Sequence, residues 1–230
     1  MEKNCCLGCG AKQSCLLVSQ LSLEEIEASK GIRHIRPYKA RQILYHEGMP
    51  ALGIHILCWG KVKLSRGGNE GRQQILRIVG PEEICGEEAL LEEAAYTNTA
   101  EALEPCQTAF VRRDAFLDLL ENRNRILPLL RHICQVLVET RMRFTHVALG
   151  DARTRMAAQL LDLAERYGTA TARGIITLDL PLCRSELAAL VGLSPETAVR
   201  LLSQFQREGL LEVQGRRLTL KSSEKLRALL

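Results

Sequence analysis

The sequence contains no apolar run that approaches 18 residues, and its first ten residues, MEKNCCLGCG, lack the apolar core of a signal peptide. It therefore predicts neither a membrane span nor secretion, and it favours a cytoplasmic protein. A glycine-rich dinucleotide fingerprint and a phosphate-binding loop are missing as well. No arrangement of Ser, His and Asp indicates a nucleophile, so we predict that the protein is not an enzyme.

The chain does contain enough apolar material for a core. Hydrophobic residues make up 46% of its 230 residues and charged residues 25%, which excludes a disordered chain, a collagen and a lone coiled coil. Residues 1–120 carry more acidic than basic side chains, whereas residues 121–230 carry more basic ones. This asymmetry favours a nucleic-acid binder with a separate sensory part.

Patterns along the chain divide it into four predicted parts. Residues 1–20 are a cysteine-rich leader, and residues 21–120 contain short strands separated by glycine turns, as in a β-roll. Residues 121–149 form one long helix, and residues 150–230 form a winged helix-turn-helix. The predicted class is therefore α+β. Strand character is clearest in Gln42–His46, Gly53–Cys58, Lys61–Ser65 and Gln74–Val79.

The long helix carries an apolar repeat with alternating spacings of four and three residues, which is typical of a seam between two helices. Thr140 is the only polar member of this repeat. We predict that the seam joins two copies of the chain into a homodimer; the alternative is a helix that packs onto its own domain. The seam residues are Ile126, Leu130, Ile133, Leu137, Thr140, Phe144 and Val147.

A second helix near the C-terminus has the pattern of a DNA-recognition helix. Gly192 ends the helix before it, Ser194 is an N-cap, and Pro195 occupies the first helical position. The residues predicted to face inward are Leu201, Leu202 and Phe205.

The opposite face of this helix carries the residues predicted to contact DNA. Arg200 is suited to a bidentate bond to guanine, Glu196 can accept from the cytosine amino group, and Val199 offers a methyl contact to thymine. Backbone phosphate contacts are predicted for Thr197, Gln204 and Arg207.

From Cys6 to about Leu220 the sequence resembles the Crp/Fnr superfamily of bacterial transcription regulators, and it is most similar to the Fnr-type branch. The segment Glu196-Thr-Ala-Val-Arg200 is similar to the family's E-T-x-x-R, whose Glu and Arg read a G·C pair in each half-site. The resemblance implies an inverted-repeat operator in double-stranded DNA, a homodimer and RNA polymerase as a partner. Val199 departs from the Fnr subgroup, which has Ser at this position. The base that this Ser reads in the Fnr half-site is therefore not predicted for the operator of this protein.

Members of the superfamily that bind cyclic nucleotides have Gly-Glu followed by Arg-Ser, and the arginine pairs with the cyclic phosphate. This chain keeps Gly86-Glu87, but Asn98 stands in the arginine's place. Glutamates surround the site without a basic residue between them, so an anionic phosphate would be repelled. We therefore predict no cyclic nucleotide ligand. The glutamates are Glu82, Glu83, Glu87, Glu88, Glu92, Glu93, Glu101 and Glu104.

Nine cysteines in a chain that is predicted to be cytosolic favour metal or redox chemistry over structural disulfides. Cys6, Cys9 and Cys15 have the spacing C-x2-C-x5-C, which lets one loop place three thiolates around an iron–sulfur cluster. The same spacing occurs in Fnr, so the resemblance implies an oxygen-labile 4Fe-4S cluster whose fourth ligand comes from the roll.

The fourth ligand is less clearly indicated than the first three. The position at which Fnr has its ligand is Ala109 here, and Cys106 lies three residues earlier. Cys106 is our candidate, followed by Cys85 and then Cys58. As a simpler interpretation we expect Cys58 and Cys134 to be small buried hydrophobic residues.

Other chemistries remain open for these cysteines. A metal-free thiol–disulfide switch would use the same thiols, and zinc would accept four thiolates as a structural site. A haem-sensing relative would use His55 or His46 as its ligand. An iron–sulfur electron carrier, which belongs to another class of protein, would share the spacing but would not select an operator.

Overall fold

The computed structural model describes residues 33–68, 71–121, 123–171 and 175–230. The chain divides into two compact units, and the division falls after Val136. The leader cysteines Cys6, Cys9 and Cys15 lie outside the described residues.

The described part of the first unit is built around two antiparallel four-stranded sheets. One sheet has the strand order β1-β8-β3-β6, and the other has the order β2-β7-β4-β5. The strands are β1 Arg33–Tyr38, β2 Ile43–Tyr45, β3 Gly53–Trp59, β4 Val62–Gly67, β5 Gln73–Val79, β6 Ile84–Cys85, β7 Thr99–Ala102 and β8 Cys106–Arg112.

The core of this unit lies between the two sheets, because strands of both sheets contribute buried apolar side chains to one cluster. Ile54 of β3 and Val111 of β8 come from the first sheet, while Val62 of β4 and Ala100 of β7 come from the second; all four have no exposed surface. In β7 the burial alternates as a pleated strand requires, with Ala100 and Ala102 buried and Thr99 and Glu101 half-buried.

In the described part of the first unit, three helices accompany the sheets. They are α1 Glu87–Leu91, α2 Arg113–Leu120 and the long helix α3 Arg123–Leu149. Phe116 of α2 is completely buried in the core of the roll, and Leu129 near the start of α3 is buried in the same cluster. The first part of α3 therefore packs into the core of the roll.

The second unit contains a helix-turn-helix and a four-stranded antiparallel sheet of order β11-β12-β10-β9. Its helices are α4 Ala152–Tyr167, α5 Arg184–Val191, α6 Pro195–Arg207 and α7 Ser223–Arg227. Its strands are β9 Gly168–Ala170, β10 Ile176–Leu178, β11 Leu211–Gln214 and β12 Arg217–Leu220.

The predicted α+β architecture of roll, long helix and winged helix-turn-helix is confirmed. The four strands predicted in the roll are present as β2 to β5, with ends that differ by one or two residues. The differences arise at turns, where local pairing decides the last hydrogen bond.

Candidate DNA-binding and sensory sites

The turn between α5 and α6 fixes the start of the recognition helix. Gly192 has a left-handed backbone conformation with φ 71°, which glycine adopts without steric cost and which ends α5. The Ser194 hydroxyl accepts a hydrogen bond from the Thr197 backbone N–H at 3.2 Å, so it caps α6 as predicted. Pro195 then occupies the first turn, where its missing N–H costs nothing.

Helix α6 separates an inward from an outward face. The inward face consists of four buried residues, Ala198, Leu201, Leu202 and Phe205, which confirms the predicted apolar face. On the other face Glu196, Val199, Arg200 and Arg207 are exposed, and Thr197 and Gln204 are half-buried. The structure therefore leaves the side chains predicted to read bases open to a ligand.

Glu196 remains a charged acceptor at the start of α6. Its own backbone N–H and the Ser194 side chain donate to the carboxylate, and together they hold the pKa of Glu196 below its ordinary value. The carboxylate can therefore accept a hydrogen bond from a base amino group.

An ion pair that no local pattern predicted holds the far end of the recognition helix. Arg153 of α4 donates two hydrogen bonds to the carboxylate of Glu208, at 2.8 and 2.6 Å. Gln204 donates a third at 3.0 Å, and the Arg153 guanidinium lies 5.2 Å from the centre of the Phe205 ring. These contacts fix the end of α6 against α4, and they engage the Gln204 amide that was predicted to contact phosphate.

The wing is tied to the helix-turn-helix by arginine contacts. Arg184, the first residue of α5, donates to the backbone carbonyl of Gly215 at the tip of the β11–β12 hairpin, over 2.6 Å. Arg217 of β12 pairs with Asp179 at 3.1 Å. The neighbouring Arg216 is exposed at the tip, which leaves a cation on the wing.

In the roll, the interior near α1 is filled by side chains that bind one another. Asn98, which we predicted to replace the arginine of cyclic-nucleotide binders, is buried and donates to the Glu88 carboxylate at 2.8 Å. Tyr45 donates its hydroxyl to the Asn98 carbonyl at 3.2 Å and stacks on Tyr96 with ring centres 3.9 Å apart. Burial, and then the nearby Glu87, raise the pKa of Glu88.

The described cysteines differ in burial. Cys106 and Cys85 are buried, and burial is the main cause that raises the pKa of the Cys106 thiol to about 11 and that of the Cys85 thiol further above its ordinary value. Cys58 is half-buried and packs against the roll core, in agreement with its prediction as a core residue. Cys134 is exposed on the single chain, so its prediction as a buried residue was wrong. It lies on a face of α3 that the roll does not cover.

The two histidines named as haem ligands are in different environments. His55 is buried, its Nδ1 lies 3.1 Å from the Thr108 hydroxyl, and burial together with the Arg36 charge lowers its pKa to about 3. His46 is exposed. Among the residues described, no group of three or more His, Cys, Asp or Glu side chains is placed to hold a metal ion.

The predicted seam on α3 is largely exposed on the single chain. Leu130 is 50% exposed, Leu137 46% and Phe144 72%, and Ile126, Thr140 and Val147 are exposed as well. Ile133 differs, because it is half-buried and packs against the roll core. The helix thus presents an uncovered apolar row, which is the surface that a second copy would need.

In the portion covered by the structure, no helix is long and apolar enough to cross a membrane.

The fold and the exposed face of α6 together define a DNA-binding protein with a β-roll and a helix-turn-helix, and comparisons with known proteins agree. Residues 35–123 match the cyclic nucleotide-binding domain family, and residues 154–229 match the Crp-like helix-turn-helix domain family.

Two curated relatives and one solved structure illustrate the similarity. A CRP-like cAMP-activated global transcriptional regulator of Mycobacterium tuberculosis is 31% identical over 80% of this chain and 82% of its own length. The transcriptional activator protein FnrA of Stutzerimonas stutzeri is 28% identical over 97% of this chain and 91% of its own length. The structure of FixK2 from Bradyrhizobium japonicum is 24% identical, covers 86% of this chain and 97% of its own, and superposes with a TM-score of 0.77.

The chain belongs to the Crp/Fnr family of DNA-binding transcription regulators. Its relatives are regulators and not enzymes, which confirms the predicted absence of catalysis.

Neutralising Glu208 should destabilise the second unit in a pH-dependent way. The Arg153 and Gln204 side chains lower the pKa of Glu208 to about 2. Because this folded-state pKa lies below the ordinary value, the stabilisation is complete above that value and is lost as the pH falls toward 2. We expect Glu208→Gln to lower the thermal midpoint at pH 7, and the gap from wild type to close between about pH 4.5 and pH 2.

Glu224→Gln on α7 is the matched control for this prediction, since it removes the same charge from the same unit. Thermal melts at a series of pH values measure both variants. A gap for Glu208→Gln that stays constant down to pH 2 would contradict the assignment.

Proposed function

We propose that this regulator senses oxygen or redox state through its leader cysteines and binds inverted-repeat operator DNA as a homodimer in the cytoplasm. The observation that carries the proposal is the C-x2-C-x5-C motif of Cys6, Cys9 and Cys15, placed before a roll in which Asn98, predicted to replace the family's phosphate-binding arginine, donates to Glu88. The motif supplies soft thiolate donors, and the roll supplies no guanidinium at residue 98 for an anionic ligand.

DNA recognition in the proposal rests on the exposed face of α6. In a homodimer related by a two-fold axis, two such helices enter successive major grooves about 34 Å apart, and the operator mirrors that symmetry. Arg200 and Glu196 would read base edges, while the exposed Arg207 supports the duplex backbone. The bound dimer would act on RNA polymerase, as regulators of this family do.

A 4Fe-4S cluster is the sensory group that fits the donor set best. Such a cluster takes thiolate ligands and supplies oxygen-sensitive redox chemistry when bound. The described residues bear on the fourth ligand alone. Cys106 has no exposed surface, so it could bind a cluster only if the cluster lay against the roll core. Cys58 is half-buried and is the more accessible competitor, and Cys85 is buried.

The metal-free thiol–disulfide switch is the second candidate, and one observation favours it. Cys106 and Cys85 both have pKa values raised by burial, so neither is a ready thiolate before a metal binds. In that mechanism the leader thiols would pair among themselves, and no roll cysteine would be needed.

Replacing the base-reading arginine should separate sequence recognition from general affinity. Arg200→Ala should cost about 1–3 kcal/mol on the preferred operator and relax the base preference at one position. Arg207→Ala is the matched control; it should weaken all sequences alike and reduce the salt dependence by about one phosphate contact. Selection from a random duplex library, followed by titrations at several salt concentrations, measures both. Equal losses on all sequences for Arg200→Ala would rule out its proposed role.

Anaerobic purification tests the sensory proposal directly. The wild-type protein should be coloured, contain iron and acid-labile sulfide, and lose operator affinity in air. Cys6→Ala, Cys9→Ala, Cys15→Ala and Cys106→Ala should each lose the cluster, whereas Cys134→Ala and Cys183→Ala should retain it. Cys85→Ala and Cys58→Ala complete the series, and loss in one of these in place of Cys106→Ala would reassign the fourth ligand. An iron-free protein that binds its operator equally in air and without it would overturn the proposal.

We also propose that the roll does not respond to cyclic nucleotides, although its relative from Mycobacterium tuberculosis is described as cAMP-activated. A cyclic phosphate would meet Glu88 and the amide of Asn98, which offers no charge to balance it. Calorimetric titration with cAMP should show no saturable heat, and operator affinity should be the same with and without cAMP. Saturable binding with a change in operator affinity would contradict this.

A further inference from the structure

Glu87 occupies a fixed position at the edge of the roll. It is the first residue of α1 and follows Gly86, whose φ of 88° is left-handed. A Cβ atom at Gly86 would lie 2.8 Å from the Tyr96 ring, so this position accepts only glycine without moving the aromatic stack. Ala89 and Leu90 of α1 are buried in the roll. Glu87 is therefore held by a short helix that cannot easily shift.

His132 lies on the face of α3 that packs against the roll. Leu129 and Ile133 of the same helix contact the roll core, and residues three and four apart share one helical face. His132 lies between them on that face. The residues that are exposed on α3, including Leu130 and Leu137, point away from it.

The two side chains meet in a buried contact. The Nε2 atom of His132 is 3.3 Å from Oε1 of Glu87, and the side chains are only 9% and 8% exposed. The other carboxylate oxygen, Oε2, is buried without a hydrogen-bond partner among the residues that the structure covers. His132 is thus the group that contacts this carboxylate from the long helix. Breaking the contact would leave a buried acceptor with no donor, which is costly.

We propose that the Glu87–His132 contact is a positioning contact that sets how α3 is seated on the roll. Apolar packing alone allows a helix to rotate or slide by small amounts, whereas a hydrogen bond between two buried side chains fixes one arrangement. That arrangement decides which apolar residues of α3 stay exposed for a second copy of the chain. A change in the roll that moves α1 would therefore be transmitted to the dimer seam.

This inference deepens the proposed function, since its dimer consequence rests on the proposed homodimer. Its local consequence does not rest on the homodimer, because the packing of α3 on the roll involves contacts within one chain. The two can be measured separately, so failure of the homodimer would not be mistaken for failure of the positioning contact.

Amide hydrogen exchange of the full-length protein provides the local test. In His132→Leu and Glu87→Leu, amides of residues 126–136 should exchange about tenfold faster or more, because each variant leaves one buried group unpaired. His132→Gln retains a donor that can reach the carboxylate and should restore much of the protection. Asp162→Asn is the matched control, since it weakens the Arg143–Asp162 pair of 3.2 Å, which joins α3 to α4 outside the roll. It should leave residues 126–136 unchanged.

A double replacement keeps the test valid even where a single variant does not fold. Glu87→Leu with His132→Leu removes both polar groups, buries no unpaired one and should fold. Sedimentation of this variant should show a dimer dissociation constant shifted at least about tenfold, with a thermal midpoint near that of wild type.

Two outcomes would overturn the positioning role. One is faster exchange in all parts of the roll together with a lowered thermal midpoint and no local excess in residues 126–136, which would indicate general destabilisation. The other is a double variant with the exchange and dimer constant of wild type. A wild-type chain that stays monomeric at all concentrations would instead refute the homodimer, and exchange would still decide the contact.

Discussion

Burial of Leu129 in the core of the roll is the constraint on which the long helix depends. Ile133, four residues further on, packs on the same core, whereas Leu130 and Leu137 are exposed on the single chain. One helix thereby acquires a face that belongs to its own unit and a face that has no partner in the single chain.

In the second unit, buried apolar residues likewise decide which side chains of a helix face outward. Ala198, Leu202 and Phe205 anchor α6 in the unit, and the charged side chains are presented because the buried ones are fixed. The bidentate contact between Arg153 and Glu208 adds a polar restraint at the end where helical hydrogen bonding stops. Apolar faces thus determine the rotation of both helices, and single polar contacts refine it.

The local features of this protein could be predicted from its sequence, whereas the contacts between distant segments could not. Ser194 as an N-cap and the inward face of α6 follow from rules that act over three or four residues. The Glu87–His132 contact joins residues 45 apart in sequence, and the Arg153–Glu208 pair joins residues 55 apart. No spacing rule relates such partners. Cys134 was misjudged for a related reason: a small apolar residue type does not reveal which helical face it occupies.

The hydrogen bond between Asn98 and Glu88 also bears on how this roll can change over evolutionary time. An arginine introduced at residue 98 would find the Glu88 carboxylate where the amide now donates over 2.8 Å, and it would pair internally with that carboxylate. Such an arginine would be free to bind another anion only if the acid at position 88 were also replaced. The effect of an arginine at residue 98 would therefore depend on which residue stands at position 88.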